Sequence, residues 1–294
     1  MDRHIARDIT YADSARTALG RRVIRLMENS TGRMRLIQRA QGYETEVARG
    51  RDFWTVMAER YGLRLNVTGG VLANIPKNAP LILVSNHPYG ILDGLMMGHI
   101  LSQTRGDFRI LANSVFRKAE ELNRVILPIS FDDTRVGLAQ NIATRRAALA
   151  YLGQGGAIGV FPGGTVSTGI TPFAPPLDPR WRSFTARMIA KSEATVVPIF
   201  FEGTTSRLFQ IASHIHATLR LGLLIREFRN RVDTTVNVVI GDPIGRDQLD
   251  PLVKDSKAIM DFLRKATYGL AEDMDNPMAL GYEFEEQHRG RAVR

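Results

Sequence analysis

The chain has 294 residues, of which 44% are hydrophobic and 23% charged, so it can bury a full core and is not expected to be disordered. Because it contains no cysteine, disulfides, thiolate catalysis and zinc–thiolate sites are excluded. The formal net charge of +9 suits an anionic partner such as a membrane surface, a nucleic acid or a phosphate-bearing substrate.

The first 40 residues are strongly basic, with nine arginines against four acidic residues. Residues 1–60 are predicted to be helical, since apolar residues such as Ile24 and Leu36 recur among the arginines. Two arrangements fit this pattern: an amphipathic hairpin in a membrane interface, or a helix pair packed on the domain with a basic face in solvent. Met1–Gly20 has no apolar segment of the kind that a signal peptide needs.

No transmembrane helix is predicted. The longest uncharged stretch, Ala147–Leu177, is long enough to span a bilayer, but its glycines and prolines make it a poor helix. We therefore expect a cytoplasmic protein that contacts the inner face of the membrane peripherally.

From Leu63 onward, short apolar runs alternate with longer segments of helical periodicity. The predicted strands are Leu63–Val67, Leu81–Val84, Phe108–Leu111, Val125–Ile129, Ala157–Phe161, Thr195–Phe201 and Thr234–Ile240. The predicted helices are Asp93–Ser102, Ser114–Glu121, Leu138–Leu152, Trp181–Lys191, Ser206–His214, Leu219–Phe228 and Pro251–Leu270. This alternation indicates an α/β fold with a mixed, largely parallel sheet flanked by helices. We expect a catalytic domain at 61–272 between the basic segment 1–60 and a polar, loose tail at 273–294.

The stretch Leu81–Gly94, LILVSNHPYGILDG, carries the first candidate site. An apolar strand is predicted to end near His87, and a turn at Gly90 leads to a helix that begins near Asp93. Ligands and catalytic groups collect outside the carboxyl ends of strands in α/β sheets. A histidine there can take a proton from a hydroxyl, and a carboxylate on its other ring nitrogen can fix its tautomer. A carboxylate is also favourable in the first turn of any helix, which is the structural alternative for Asp93.

The stretch Ala157–Ser167, AIGVFPGGTVS, again joins an apolar strand to a turn. Gly163 and Gly164 let the backbone approach a ligand and can direct N–H groups at an anion, and Thr165 adds a hydroxyl. An ordinary glycine-rich connection would have the same composition. The pattern is not a P-loop, because no Gly-Lys-Ser/Thr follows, and it is not a dinucleotide fingerprint.

Two further stretches are less specific. In Ala194–Arg207, an apolar strand carries Pro198, which is unusual unless the strand lies at a sheet edge or contains a bulge. In Asp107–Lys118, the adjacent Arg117 and Lys118 could hold a phosphate, although such a pair is more often a solvated helix face.

Together, in this order and spacing, these stretches resemble the glycerolipid acyltransferase superfamily, whose members include lysophosphatidic acid acyltransferases. The resemblance covers about Leu81 to Gly245. The family's first motif, Asn-His with a following Asp, is similar to Asn86-His87 and Asp93 here, and its second, an aromatic with basic residues, is similar to Phe116-Arg117-Lys118. Its third motif, Phe-Pro-Glu-Gly-Thr-Arg-Ser, is similar to Phe161–Ser167. Its fourth, a strand with Val-Pro-Ile, is similar to Val197-Pro198-Ile199. Each motif is weak alone, whereas the first and third together are fairly specific.

The resemblance implies an acyltransferase of phospholipid or aminolipid biosynthesis. His87 would take the proton from the hydroxyl of a lysolipid, which attacks the thioester of acyl-CoA or acyl carrier protein, and Asp93 would orient His87. No covalent acyl-enzyme, metal or further cofactor is implied. The expected partners are the lysolipid, the acyl donor and an anionic membrane surface, with no nucleic acid. The substrate-binding residues that the resemblance implies are Asn86, Arg117, Lys118, Phe161, Pro162, Gly163, Gly164, Thr165 and Pro198.

The sequence departs from the family pattern in the first motif and in the third. One more residue than usual separates His87 from Asp93, and the turn at Gly90 could absorb it. In the third motif, Gly163 stands where the family has Glu, and Val166 stands where it has Arg.

The second of these substitutions bears on the acceptor, because the family's Arg is implicated in binding the acceptor phosphate. Valine cannot replace a bidentate guanidinium–phosphate contact. We therefore expect a lysolipid with another head group, such as a lyso-aminolipid of the lyso-ornithine type, rather than lysophosphatidic acid. Arg117 or Arg207 could still supply the missing contact.

Three other functions stay open at this point. A lipid hydrolase would need a nucleophile, and the Gly-x-Ser-x-Gly pattern is absent. A catalytically silent lipid-binding membrane module would explain the Gly163 and Val166 departures, but not the presence of both His87 and Asp93. Nucleic-acid binding rests on charge alone, since the arginines are not interleaved with stacking aromatics.

Overall fold

The computed structural model describes residues 10–15, 17–113, 120–130 and 134–284. Its strands are β1 (Arg64–Gly69), β2 (Leu81–Ser85), β3 (Arg109–Asn113), β4 (Ile126–Ile129), β5 (Ala157–Val160), β6 (Thr195–Phe201) and β7 (Thr235–Ile240). Its α-helices are α1 (Ala18–Thr31), α2 (Arg33–Ala40), α3 (Tyr43–Ala48), α4 (Phe53–Arg60), α5 (Ile91–Thr104), α6 (Glu120–Val125), α7 (Arg135–Gly153), α8 (Ser183–Ile189), α9 (Arg207–Ile215), α10 (Ala217–Asn230), α11 (Arg246–Leu249) and α12 (Ser256–Tyr268).

The strands form one seven-stranded sheet in the order β1-β7-β6-β2-β5-β3-β4. Every neighbouring pair is parallel except β6 and β7, which run antiparallel. The predicted mixed, largely parallel sheet with flanking helices is therefore confirmed. Each predicted strand is present with ends shifted by no more than two residues, and the structure adds the short α11, which was not predicted.

Both faces of the sheet are covered, because the central strand β2 is buried along its whole length. Leu81 and Leu83 point into a core shared with α4, α5 and α10, whereas Ile82 and Val84 point into a second core shared with α7, α8 and α12. Alternate residues of a strand face opposite sides, so an unbroken apolar run is what a doubly covered strand requires. Each such side chain contributes about 1.5–3 kcal/mol on burial.

The mid-strand proline has a specific place in this sheet. Pro198 lies in β6, which is an interior strand, and its carbonyl accepts a hydrogen bond from the N–H of Gly241 at 2.9 Å. Ile199 pairs with Ile240, and in a regular antiparallel ladder each step back along β6 matches one step forward beyond β7. Val196 pairs with Ile244, one residue farther along than this, so the chain beyond β7 contains one extra residue opposite Pro198. The missing N–H of the proline faces this irregularity, where no regular ladder bond is lost.

The N-terminal helices pack on the sheet domain. Helix α1 lies along α10, and the two approach so closely that a Cβ on Gly222 would lie 2.8 Å from the sulfur of Met27. Leu36, Tyr43 and Trp54 are buried in the same core as the sheet. In the described parts of the chain, no helix combines the length and the apolar character that a bilayer crossing requires.

Residues 281–284 are docked, so the prediction of a loose tail is wrong for this part of it. Tyr282 and Phe284 are 9% and 7% exposed. The N–H groups of Gly281 and Tyr282 donate to the carbonyls of Asp178 and Thr168 at 2.8 and 2.9 Å. The tail is polar in composition, but its two aromatic rings have apolar surface to bury.

Candidate active site

The first candidate site forms where β2 ends. Nδ1 of His87 lies 2.9 Å from Oδ2 of Asp93, although the ring N–H is not aligned well enough to count as a hydrogen bond. Asp93 occupies the first turn of α5 and is fully buried, whereas the His87 side chain is 18% exposed. In ligand-free enzymes such contacts are often misaligned and tighten when substrate binds. The two residues are thus brought together, with the carboxylate buried and the imidazole partly exposed.

The turn at Gly90 makes this contact possible in spite of the additional residue. Gly90 has φ +83° and ψ −107°, a conformation that residues with a Cβ rarely adopt. This turn aims two backbone N–H groups at the Asp93 carboxylate: those of Tyr89 and Gly90 donate to Oδ2 at 2.7 and 2.9 Å. Asp93 therefore caps the start of α5 and faces His87 at the same time, so its structural and chemical roles are compatible.

Burial raises the pKa of Asp93 above its ordinary value, because a charged carboxylate is poorly solvated inside the protein. His87 and the two backbone N–H groups act in the opposite direction by stabilising the charged form. Among the described residues, the other carboxylate oxygen, Oδ1, has no hydrogen-bond partner. The charge of Asp93 is consequently directed at His87 and the turn.

The main chain of His87 is held from both sides. Its N–H donates to Oδ1 of Asp178 at 3.1 Å, and its carbonyl accepts from the N–H of Ser167 at 2.8 Å. The imidazole stacks on Phe161, with ring centroids 4.3 Å apart and planes inclined by 26°. Nε2 forms no hydrogen bond within the described ranges. These contacts fix the ring while leaving one nitrogen available to a substrate hydroxyl.

The second candidate site meets the first, because β2 and β5 are parallel neighbours and end at the same edge of the sheet. A turn closes after β5, where the N–H of Gly164 (φ +70°) donates to the carbonyl of Phe161 at 3.0 Å. Pro162 and Gly163 are buried, whereas Gly164 and Thr165 are partly exposed. The glycine-rich turn thus lies beside the imidazole, with Thr165 on its accessible side.

An arginine that the motifs did not indicate reaches this loop from α10. Arg220 is 2% exposed, and its guanidinium donates to Oγ1 of Thr165 at 3.0 Å and to the carbonyl of Val166 at 2.7 Å. It also donates to Thr168 and Ser213. Val166 itself is buried among apolar residues of α9 and α10. The guanidinium nearest the motif is therefore engaged in holding the loop.

Asn86 and Pro198 both make contacts within the sheet. The side-chain amide of Asn86 donates to the carbonyl of Phe201 at 2.9 Å and accepts from the N–H of Phe201 at 2.8 Å. This pair of bonds extends the β2–β6 ladder by one residue beyond the strand end. Pro198 lies three residues before Phe201, with its ring against Gly241. Both residues position the chain that carries His87.

The other basic residues predicted for the site are Arg117, Lys118 and Arg207. Arg117 and Lys118 lie outside the described residues, as does most of the predicted helix Ser114–Glu121. Arg207 is exposed at the start of α9, where it donates to the carbonyl of Pro172 at 3.1 Å. Over the described ranges, no group of three or more His, Asp or Glu side chains is arranged to hold a metal ion.

The described residues also place no nucleophilic hydroxyl in contact with the imidazole of His87. Within the described parts of the chain, no serine or threonine hydroxyl forms a hydrogen bond with the His87 ring. Ser85 donates to the carbonyl of Asn86, and Ser167 donates to Asp178. The arrangement suits proton abstraction from a bound hydroxyl better than the serine–histidine pair of a hydrolase.

Known proteins that resemble this chain are acyltransferases. The sequence matches the family model described as acyltransferase over residues 46–277. A curated relative, the lyso-glycine lipid O-acyltransferase of Phocaeicola vulgatus, is 26% identical over 202 residues, which cover 66% of this chain and 69% of the relative. Among solved structures, the 1-acyl-sn-glycerophosphate (LPA) acyltransferase PlsC from Thermotoga maritima is similar at a TM-score of 0.46 and 16% identity, over 90% of this chain and 87% of that chain. Since the family model spans well over half of the sequence, this chain belongs to the acyltransferase family.

Proposed function

We propose that the protein transfers a fatty acyl group from a thioester donor, acyl-CoA or acyl carrier protein, to the hydroxyl of a lysolipid. The observation that carries the proposal is His87, whose Nδ1 lies against the buried Asp93 while Nε2 stays available. Nε2 takes the hydroxyl proton as the oxygen attacks the thioester carbonyl. When the carbon–sulfur bond breaks, the sulfur leaves and the imidazolium returns the proton to it. The ester forms without an acyl-enzyme.

Asp93 is proposed to make this step feasible. Its carboxylate favours the tautomer with the proton on Nδ1, which leaves the lone pair on Nε2. It also stabilises the imidazolium that forms during the attack. Full burial strengthens both effects, because little water screens the pair.

The acceptor is proposed to be a lyso-aminolipid. Val166 replaces the family's arginine and is buried, so it offers nothing to a phosphate. Arg220 is the guanidinium at this loop, and it already donates to Thr165, Val166, Thr168 and Ser213. The name of the curated relative, a lyso-glycine lipid O-acyltransferase, points to the same class of acceptor.

The N-terminal helices are proposed to rest on an anionic membrane surface. Leu19 and Leu26, 73% and 71% exposed, flank the exposed Arg22 on one face of α1. A cleft of about 410 Å³ where α1 meets α2 has Arg35, Arg226 and Arg229 in its lining, and no acidic residue of the described ranges lines it. Exposed leucines beside arginines suit the boundary between acyl chains and anionic head groups.

The catalytic part is tested by acyl transfer from acyl-CoA and from acyl carrier protein to a panel of lysolipids, including lyso-aminolipids and lysophosphatidic acid. Wild type should transfer to a lyso-aminolipid, and His87→Ala should not. His99→Gln is the matched control, since His99 lies in α5 and its ring nitrogens face Thr55 and Gln103. Transfer by His87→Ala at the wild-type rate would refute the mechanism. No transfer by wild type to any acceptor would favour the silent lipid-binding module.

The membrane part is tested separately with vesicles of phosphatidylglycerol and of phosphatidylcholine. We expect binding to the anionic vesicles, and we expect the pair Leu19→Ser and Leu26→Ser to weaken it roughly tenfold or more. The control pair, Leu138→Ser and Ile142→Ser, changes exposed apolar residues of α7. Equal loss in both pairs, or no loss in the first, would remove α1 from the proposed contact.

A further inference from the structure

Asp178 is a fully buried carboxylate that no motif of the sequence includes. Its Oδ1 accepts from the N–H of His87 at 3.1 Å and from the hydroxyl of Ser167 at 2.5 Å. Its Oδ2 accepts from Nε1 of Trp181 at 2.9 Å. Three donors from three parts of the chain therefore converge on one acceptor-only group, as a buried carboxylate requires.

The glycine-rich motif makes room for this carboxylate. A Cβ on Gly163 would lie 3.2 Å from each of Cβ, Cγ and Oδ2 of Asp178, which is tighter than almost all real contacts of this kind. Gly163 is also the position at which the resembling family has Glu. In this chain, a carboxylate from farther along the sequence fills the space where the side chain of residue 163 would begin.

Asp178 is itself rigidly held by its main chain. Its N–H donates to the hydroxyl of Tyr268 in α12 at 2.7 Å. Its carbonyl accepts from the N–H of Gly281 at 2.8 Å and from the guanidinium of Arg264 at 3.2 Å. Because the Asp178 carboxylate is fixed in this way, it can also fix a donor that bonds to it. That donor is the backbone N–H of His87.

We propose that Asp178 is a positioning residue for His87, which it holds through the backbone N–H in the place where Nε2 can reach the acceptor hydroxyl. The proposal rests on the proposed function, in which His87 is the base. Asp178 does not touch the substrate. It acts on the turnover number, because displacement of a catalytic group by about 1 Å can lower the rate about 10²-fold.

The test compares two side chains at residue 178 in one background. One can accept the hydrogen bond from the His87 N–H, and the other cannot. In Asp178→Asn, the oxygen can still face His87 and Ser167, but the amide nitrogen then meets the N–H of Trp181. The background variant Trp181→Phe removes that donor and leaves the bond to His87 intact. Within this background, Asp178→Asn preserves size and the bond to His87, whereas Asp178→Ala removes the bond.

We expect Asp178→Ala in the Trp181→Phe background to lower kcat about 10- to 100-fold with little change in KM. Asp178→Asn in the same background should stay within about threefold of Trp181→Phe. Trp181→Phe and the two double variants are compared well below their unfolding temperatures, so a loss of stability alone does not lower kcat. Equal kcat in the Ala and Asn variants, whether both high or both low, would overturn the proposal.

Measuring His87→Ala in the same assay distinguishes a failure of this proposal from a failure of the proposed acyltransferase function. If His87→Ala keeps its activity, the function itself fails. If His87→Ala is inactive while Asp178→Ala turns over at the rate of Trp181→Phe, the function stands and only the positioning role of Asp178 is refuted.

Discussion

Asp93→Asn is the substitution that tests the charge of the candidate pair most directly, because it changes little else. The Asn oxygen can replace Oδ2 and keep the backbone bonds from Tyr89 and Gly90. The Asn nitrogen then takes the place of Oδ1, which has no hydrogen-bond partner among the described residues. Leaving that group unsatisfied costs about 1–3 kcal/mol, so the variant should fold.

The effect on rate follows from the distance between the two charges. At 2.9 Å from Asp93, an imidazolium is stabilised by about 6 kcal/mol if the effective dielectric constant is about 20. Since about 1.4 kcal/mol corresponds to a tenfold change in rate, removal of the charge should lower kcat by up to about 10⁴-fold. The same magnitude is known for neutralised aspartates of catalytic triads.

The assay is steady-state acyl transfer at saturating donor, together with a thermal unfolding curve for each protein. Asp52→Asn is the matched control, since Asp52 also caps a helix and accepts from the N–H of Thr55 at 2.8 Å. The control should keep the wild-type kcat. If folded Asp93→Asn retains kcat within about tenfold of wild type, the ion-pair reasoning is refuted.

Three further substitutions have defined outcomes. Gly90→Ala places a Cβ at φ +83° and 3.1 Å from Val166, so it should cost about 1–3 kcal/mol in unfolding experiments and lower kcat by displacing Asp93; unchanged stability and rate would contradict this. Gly163→Glu should drive a larger side chain against Asp178 and lower the unfolding temperature, because a Cβ at residue 163 already lies 3.2 Å from the Asp178 side chain; an unchanged unfolding temperature would contradict this. Burial raises the pKa of Glu28 above its ordinary value of about 4.5. The contribution of Glu28 to the free energy of unfolding is therefore fully present below about pH 4.5 and is lost as the pH rises through the raised pKa. Relative to wild type, Glu28→Gln should therefore gain in unfolding temperature from about pH 4 to about pH 7, and a constant difference would show that Glu28 does not titrate in this way.

The sequence predicted those parts of the fold that depend on local pattern. Unbroken apolar runs such as Leu81–Val84 identify strands that are buried on both faces, and the positions of His87 and Asp93 follow from where such a strand ends. The turn at Gly90 was also foreseeable, since glycine is the residue that can adopt its conformation at low cost.

The rest depends on contacts between distant residues. Asp178 meets His87 across a sequence separation of 91, and nothing near residue 178 marks it as part of the site. Arg220 reaches Thr165 across 55 residues from the first turn of α10. The docking of Tyr282 likewise requires an acceptor that only the folded chain supplies. Position in space, rather than residue type, gives these side chains their roles.

The placement of β7 has a consequence for how the protein is made. It is the last strand in the described part of the chain, yet it lies inside the sheet, parallel to β1 on one side and antiparallel to β6 on the other. Arg64 and its partner Thr235 are 171 residues apart, so at about 5–20 residues per second a ribosome needs on the order of ten to thirty seconds to deliver the second after the first. Until β7 is made, β1 lacks the strand that it pairs with, and β6, once it has been made, is open on its β7 side. Open strand edges invite aggregation and chaperone binding.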